Sequence, residues 1–447
     1  MKAPSPARAV AVRVLERVAS DQAFADLALD VELTRRVLSD RDVALATELV
    51  YGTLRWQRYL DWVLAPHARR KLDALDARPL AALRMTAYQL VFLDRVPAFA
   101  AVNDAVSLAH GRKTTGAPEF VNAVLRSFAR RGTREREPAP PADPVDALAV
   151  RCSFPTWLAA RWIGRYGHDE AEALMRAMNE RPPVTLRANT LKRDRDALAD
   201  RLRIEEQIGS RPTSYAPEGL VAEHGGRPDA WRAFIEGHFA VQDEASMLVS
   251  HLLDPRPGEV VADVCAAPGT KTTHIAQLMG NRGRVLAFDP QPVRLRLVDD
   301  SARRLGVTIV ETAGGTVETL APRFAEQCDA VLVDAPCSNL GVLRRNPEVK
   351  WHRKADDLAT SAGRQREILA AAGAMVKPGG RLVYATCSLE PEENEEVTLG
   401  FLDRRRNFRV NAPATFPLTL EPGGRLRCLP HRHGTDGFTA LRFVRWA

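Results

Sequence analysis

Two cysteines stand out by their surroundings: Cys337 in Asp334-Ala335-Pro336-Cys337-Ser338, and Cys387 in Ala385-Thr386-Cys387-Ser388. Each follows a short apolar run of strand character. Upstream, Asp263-Val264-Cys265-Ala266-Ala267-Pro268-Gly269-Thr270-Lys271 has the pattern of a strand turning through small residues into a helix. A thiolate is the side chain suited to adding to an electron-poor ring carbon. Strand-end thiols beside a nucleotide-type cofactor loop suit methyl transfer to carbon 5 of a pyrimidine, which is a poor nucleophile until something adds to carbon 6. Asp334 precedes Cys337 by three residues, with Pro336 stiffening the loop between them. An aspartate in the same cleft can hold the N3 side of a cytosine and favour its protonation, so that a thiolate adds at carbon 6 and carbon 5 takes a methyl from a sulfonium. A base must then remove the carbon-5 proton before the thiol can leave.

The upstream loop has the features of a cofactor site. Ala266, Ala267 and Gly269 let backbone approach a ligand closely, and the helix that follows offers free N–H groups. With Lys271, that end has a positive field suited to a carboxylate. Asp289 closes the next predicted strand twenty residues past Gly269, the place of an acid that binds ribose hydroxyls. A plain strand-turn-helix with a terminal Asp would read the same way. The loop is not G-x-x-x-x-G-K-[ST], which argues against a nucleotide triphosphatase. The remaining cysteines, Cys152, Cys265, Cys328 and Cys428, read as packing residues, and the absence of a C-x-x-C pair points to neither a disulfide framework nor a metal site.

These residues need elements to position them. Residues 7–130 read as helix after helix, with Val10, Val14, Leu15 and Val18 on one face and Ser39 as a cap before Asp40 and Asp42. Later helices carry Leu80, Leu83, Ala87, Leu90 and Val91, then Val102, Val106 and Ala109, then Val121, Val124, Leu125 and Phe128. The charged, proline-rich run Arg131–Pro144 reads as a linker. Beyond it, helices at 157–166 and 170–178 and a strand at 184–189 form a small α+β piece. From Gln242 onward, strands at 259–265, 283–289, 307–312, 329–334 and 381–386 alternate with helices at 271–279, 292–305 and 364–376, ahead of a hairpin at 426–429 and 438–446. That alternation makes a mostly parallel, Rossmann-like α/β sheet. The expected domains are an all-α bundle over 1–132, a linker over 133–144, a small α+β subdomain over 145–238 and the α/β domain over 239–447.

Composition sets wide bounds. At 447 residues the chain is too long for one ordinary core, and its net charge of +7 is compatible with a polyanionic partner. Arginine outnumbers lysine, as a GC-rich genome would also give, so charge alone barely favours nucleic acid. No run of about 18 apolar residues reads as a membrane span. The start of the chain lacks a secretory block, so a cytoplasmic location is the expectation.

Taken together, Cys265–Thr272, Asp334–Ser338 and Thr386-Cys387-Ser388 with Pro391-Glu392-Glu393-Asn394 resemble the Sun/Fmu (RsmB-like) family of RNA cytosine methyltransferases. Gln242-Asp243-Glu244-Ala245-Ser246 and Asp436-Gly437-Phe438 are similar to further blocks of that family. The segments 49–55 and 120–126 resemble a NusB-like RNA-binding domain, a fusion typical of the bacterial small-subunit rRNA enzyme. The resemblance implies an S-adenosylmethionine-dependent enzyme acting on 16S rRNA; a monomer is the expected assembly, which the sequence itself does not give. It implies Cys387 as nucleophile, Cys337 in product release and Asp334 at the cytosine N3 side. Cys265, Ala266, Ala267, Pro268, Gly269, Thr270, Lys271, Asp289 and Asp334 match the cofactor contacts. Arg344, Arg345 and Lys350 are placed to meet RNA phosphate, or else form a solvated loop.

Two departures from the family pattern stand out. Thr270 replaces a second glycine, adding a Cβ that could crowd the loop. Gly315 stands where the third strand normally ends in a cofactor-contacting Asp, which removes a hydrogen bond of roughly 0.5–1.5 kcal/mol. A non-catalytic ribosome-assembly factor on the same fold is one alternative. A nitrogen or oxygen methyltransferase with structural cysteines is another.

Overall fold

The computed structural model describes residues 4–110, 116–130, 137–223 and 226–446. Of the predicted linker, 131–136 lies outside them. The chain divides into two compact units, one of Met1–Arg181 with Leu343–Arg353 and the other of Pro182–Val342 with Lys354–Ala447. No helix among the described residues is long and apolar enough to cross a membrane.

Among the described residues, the regular structure of the first unit is all helix. Pro6–Asp21, Asp40–Arg55, Ala77–Phe92, Ala98–Leu108 and Ala117–Ala129 pack their apolar stripes around one core that includes Val10, Val14, Leu49, Leu83, Val124 and Phe128. Ser39 caps its helix, its hydroxyl accepting from the Asp42 N–H. Leu80, Leu90, Val91 and Val106, expected inward, are half-buried against that core. The helices Pro144–Arg151, Thr156–Tyr166 and His168–Met178 are grouped with this unit, which runs to Arg181. Arg58 secures them, with Nη1 donating to Phe154 O at 2.6 Å and Nη2 pairing with Asp146.

Lys350 corrects the reading of its segment as a phosphate-facing loop. It is 1% exposed, and its Nζ donates to Arg55 O (2.9 Å), Ser153 O (2.9 Å) and Asn179 Oδ1 (3.0 Å) above the Phe154 ring. Burial pushes its ammonium well below the usual lysine range. Arg344 is buried as well, and its carbonyl accepts from Arg55 Nη2. Lys350 joins three distant stretches of the unit, and removing it strands three buried acceptors. Lys350→Ala is therefore expected to destabilise the unit by about 3 kcal/mol. Urea unfolding followed by the fluorescence of Trp56, Trp62, Trp157, Trp162 and Trp351 checks this, and a loss below about 1 kcal/mol would count against the hub.

The second unit begins with a small antiparallel sheet of Val184–Ala188 (β1), Ser210–Pro212 (β2), Gly219–Ala222 (β3) and Phe239–Val241 (β4), ordered β2-β3-β1-β4. Leu186, Leu220 and Phe239 bury against Leu198 and Leu202 of the helix Arg195–Glu205. Only β1 was visible in the sequence, since β2 to β4 are too short to display a period.

The larger sheet comprises Val260–Asp263 (β5), Arg284–Asp289 (β6), Val310–Gly314 (β7), Cys328–Asp334 (β8), Val376–Thr386 (β9), Phe408–Val410 (β10), Leu426–Cys428 (β11) and Phe438–Arg445 (β12). Its order is β10-β12-β9-β8-β5-β6-β7, with β11 also on β12. β5 to β9 run parallel, and β12 pairs antiparallel with β9. Apolar cores cover both faces. β9 starts earlier than the expected Arg381 because Pro378-Gly379-Gly380 is absorbed in a register shift opposite Cys328/Ala330. The helix expected over 364–376 begins at Asp356. The chain leaves β5 toward β6 and β7 on one side and returns through β8 and β9 on the other. The topological switch thus lies between β5 and β8, at whose carboxyl ends a ligand crevice is expected.

Candidate active site

Asp263 closes β5, 1% exposed, and accepts a 2.7 Å bond from Thr272 Oγ1 on the helix Thr270–Leu278. Burial pushes its carboxyl up to about 6. The turn between strand and helix is tight. Ala266 N–H donates to Phe288 O at 2.8 Å, and Gly269 N–H to Ala266 O at 2.7 Å. Gly269 has φ +99°, and a Cβ there would lie 2.9 Å from Val298 Cα, so only glycine fits. Thr270, the departure from a second glycine, begins the helix without distorting it. Its carbonyl accepts at 2.6 Å from Arg187 Nη1.

Arg187 was not anticipated from sequence. It is fully buried on β1, bonds Gln242 Oε1 and Thr273 Oγ1 as well as Thr270 O, and is pushed down to about 9 by that burial. Gln242 thereby gains a role in bracing the cofactor-type loop. Asp243 caps the helix Glu244–Leu253 and also accepts from the Asp436 N–H, which joins the two distant sequence blocks. Nearby, Glu218 is shared by His251 and His274 at hydrogen-bond distances. Burial pushes the His274 imidazole down to about 3, so it is neutral at ordinary pH.

Asp289 ends β6, 3% exposed, accepting from the Gln291 N–H at 2.9 Å, with Arg294 Nη1 at 3.3 Å from its other oxygen. Gly315 lies just past β7 and donates to Asp289 O at 3.2 Å. Its φ of +150°, with Leu320 and Thr319 atoms 3.2 Å from any added Cβ, suits glycine and disfavours the aspartate that the family pattern leads one to expect.

Asp334 ends β8, and Lys271 Nζ donates to its Oδ2 at 2.7 Å. Lys271, expected to face a cofactor carboxylate, is 9% exposed and engaged with Asp334, 4.9 Å from the Phe438 ring centre. Burial works against its charge, but the Asp334 carboxylate outweighs it and the ammonium stays above its ordinary range.

The two thiols meet. The parallel register pairs Asp334 with Ala385, so Cys337 and Cys387 emerge side by side past the ends of β8 and β9, with Sγ atoms 3.3 Å apart. Asn339 Oδ1, on a residue at φ +64°, lies 3.1 Å from Cys387 Sγ and 3.6 Å from Cys337 Sγ. The hydrogen bond to Cys387, then burial, pushes the Cys337 thiol well above the usual range. The two loops interlock through glycine: Gly341 N–H donates to Cys387 O, and Gly437 N–H to Gly341 O, both at 2.8 Å. A Cβ on Gly341 would fall 2.2 Å from Gly437 O. Cys265, by contrast, is half-buried on the β5 loop, its thiol pushed up chiefly by burial.

A parallel sheet whose switch point carries a bare strand-helix turn, an acid ending the next strand and an acid-lysine pair has the architecture of an α/β enzyme that binds a nucleotide-type cofactor, as methyltransferases do. Comparison with known proteins narrows this. The NusB family model matches residues 5–130, a ferredoxin-like domain of RsmF/B-like methyltransferases 154–227, and the 16S rRNA methyltransferase RsmB/F model 250–444. The chain is 37% identical to the Probable ribosomal RNA small subunit methyltransferase B of Bacillus subtilis (strain 168), over 96% of this chain and 97% of that one. It is similar to the crystal structure of PH0851, with TM-score 0.85 and 30% identity over 100% of both chains. NSun6 from Pyrococcus horikoshii, solved with SFG, superposes with TM-score 0.60 at 26% identity over 66% of this chain and 99% of that one. The chain belongs to the RsmB/F family of rRNA methyltransferases, with a NusB helical domain, a small ferredoxin-like subdomain and a methyltransferase sheet.

The family implies an S-adenosylmethionine-type donor, and the residues present fit one. The Ala266–Gly269 turn presents backbone with no bulky side chain, and Asp289 has acceptor capacity left at the end of β6.

Proposed function

We propose that this chain methylates carbon 5 of a cytosine in small-subunit rRNA through a transient bond between Cys387 Sγ and carbon 6. The observation that carries the reading is the pair of thiols 3.3 Å apart, beyond the ends of adjacent strands, beside an Asp334–Lys271 pair. Residues Cys265 to Lys271, Asp289, Gly315 and Asp334 would border S-adenosylmethionine, which supplies an electrophilic methyl when bound. Lys271 holds one Asp334 oxygen, leaving Oδ1 to accept the N3–H that forms as the thiolate adds and N3 takes a proton from solvent. Cys337 keeps its proton because its S–H is engaged by the neighbouring sulfur and buried. Once a base has taken the carbon-5 proton, its bonding pair forms the C5–C6 double bond and expels the sulfur, and Cys337 is the hydrogen-bond donor that stabilises Cys387 as the leaving thiolate. The target base must leave its stack to reach these atoms. The NusB-like helices are the natural RNA-binding module.

The test is the product. Full-length protein with S-adenosylmethionine and unmethylated 16S rRNA should yield 5-methylcytidine by nucleoside mass spectrometry, at one position by bisulfite sequencing. Methyl on a nitrogen or oxygen, or none with intact folded protein, would overturn the reading.

A further inference from the structure

The segment Pro391-Glu392-Glu393-Asn394 has no part in the mechanism above, yet its Glu393 touches both thiol loops. The side chain is fully buried. Its Oε1 accepts from the Ser338 N–H at 2.8 Å and from Gln365 Nε2 at 3.0 Å. Its Oε2 accepts from Ser338 Oγ at 2.5 Å and from Ser388 Oγ. Ser338 follows Cys337 and Ser388 follows Cys387, so one carboxylate grips the residue after each thiol. Four donors fill its acceptor capacity, and all four are neutral. Its backbone is held too, since Tyr384 OH on β9 donates to Glu393 O at 2.6 Å. Gln365 extends the grip, donating also to Pro336 O at 3.0 Å, on the other side of Cys337.

A charge buried without a cationic partner persists only when neutral donors saturate it. The β8 and β9 loops are separate stretches of chain; the Ser338 and Ser388 hydroxyls lie 3.2 Å apart, and the carboxylate at residue 393 bonds them both. We infer that Glu393 is a positioning residue for the methyl-transfer reaction, clamping the Cys337 and Cys387 loops together so that the two sulfurs stay within contact. The inference rests on the reading of these cysteines as the reacting pair. Displacement of a reacting group by about 1 Å costs about a hundredfold in rate, so a clamp on two loops acts on turnover more than on RNA affinity.

The test uses the full-length protein and two readouts. The first is kcat and KM for rRNA. The second needs no substrate: diamide takes two hydrogens from the thiol pair, forming a Cys337–Cys387 disulfide while its own N=N bond is reduced, and mass spectrometry follows the loss of 2 Da. That rate reports directly on how often the sulfurs meet. Glu393→Ala is expected to slow disulfide formation at least about tenfold and to lower kcat about a hundredfold, with KM within about threefold. Glu393→Gln keeps an acceptor for the Ser338 N–H and can donate to the serine oxygens, so it should recover to within about tenfold of the native kcat. Should Glu393→Ala not fold, Ser388→Ala cuts one arm of the clamp and is expected to slow the disulfide as well. A folded Glu393→Ala, or Ser388→Ala in its place, that oxidises at the native rate overturns the clamp itself. A Cys387→Ala protein that still turns over overturns the inference by a different route, through the function on which it rests.

Discussion

Replacing Cys387 with alanine is expected to lower methyl transfer at least about 10⁴-fold, equivalent to about 5.5 kcal/mol of transition-state stabilisation, and to leave no covalent protein–RNA species on a denaturing gel. Without addition at carbon 6, carbon 5 stays a weak nucleophile, and the neighbouring Cys337 sulfur, 3.3 Å away, is assigned to product release. Asn339 Oδ1 touches both thiols but is an amide oxygen. S-adenosylmethionine binding, read by calorimetry, should be unchanged, because Cys387 follows β9 while the cofactor-type turn follows β5. Residual turnover above about a hundredth of native would point to nitrogen or oxygen chemistry.

The second large effect is opposite in kind. Cys337→Ala is expected to accumulate a covalent protein–RNA adduct when cofactor is present, while turnover falls about a hundredfold or more. With the Cys337 thiol gone, the departing Cys387 sulfur loses its hydrogen-bond donor and the S–C6 bond persists. The gel should show a slow-migrating band that depends on both cofactor and Cys387. A band from Cys387→Ala and none from Cys337→Ala would exchange the two roles.

Much of this site was legible in the sequence because its residues sit at strand ends, and strand ends are marked by the change from apolar runs to small or polar residues. Asp289 and Asp334 each close a strand as expected, whereas β5 stops at Asp263, two residues short of the expected Cys265. The meeting of Cys337 and Cys387 was not legible. It follows from β8 lying beside β9 with Asp334 opposite Ala385, and strand order is a long-range fact that no local pattern encodes. Lys350 was misread for a related reason. A lysine among arginines reads as surface, whereas three acceptors from residues 55, 153 and 179 converge to take it inside. Arg187 was missed likewise, and Glu393 was seen only as part of a sequence block without a role, since its bonds to the Cys337 loop come from far away in the chain. Gly315 was read as a lost contact, and the backbone accounts for it, because its φ of +150° disfavours any side chain.

The claim beneath all of this is that Cys387 Sγ bonds to the target pyrimidine. In 16S rRNA transcribed with 5-fluorocytidine, the fluorine cannot be removed as a proton, so elimination should halt after methyl transfer and trap the bond. Tandem mass spectrometry of the digested complex is predicted to locate the fluoropyrimidine on Cys387. A modified Cys337, or uncrosslinked protein after methyl donor and RNA have both bound, would contradict the account.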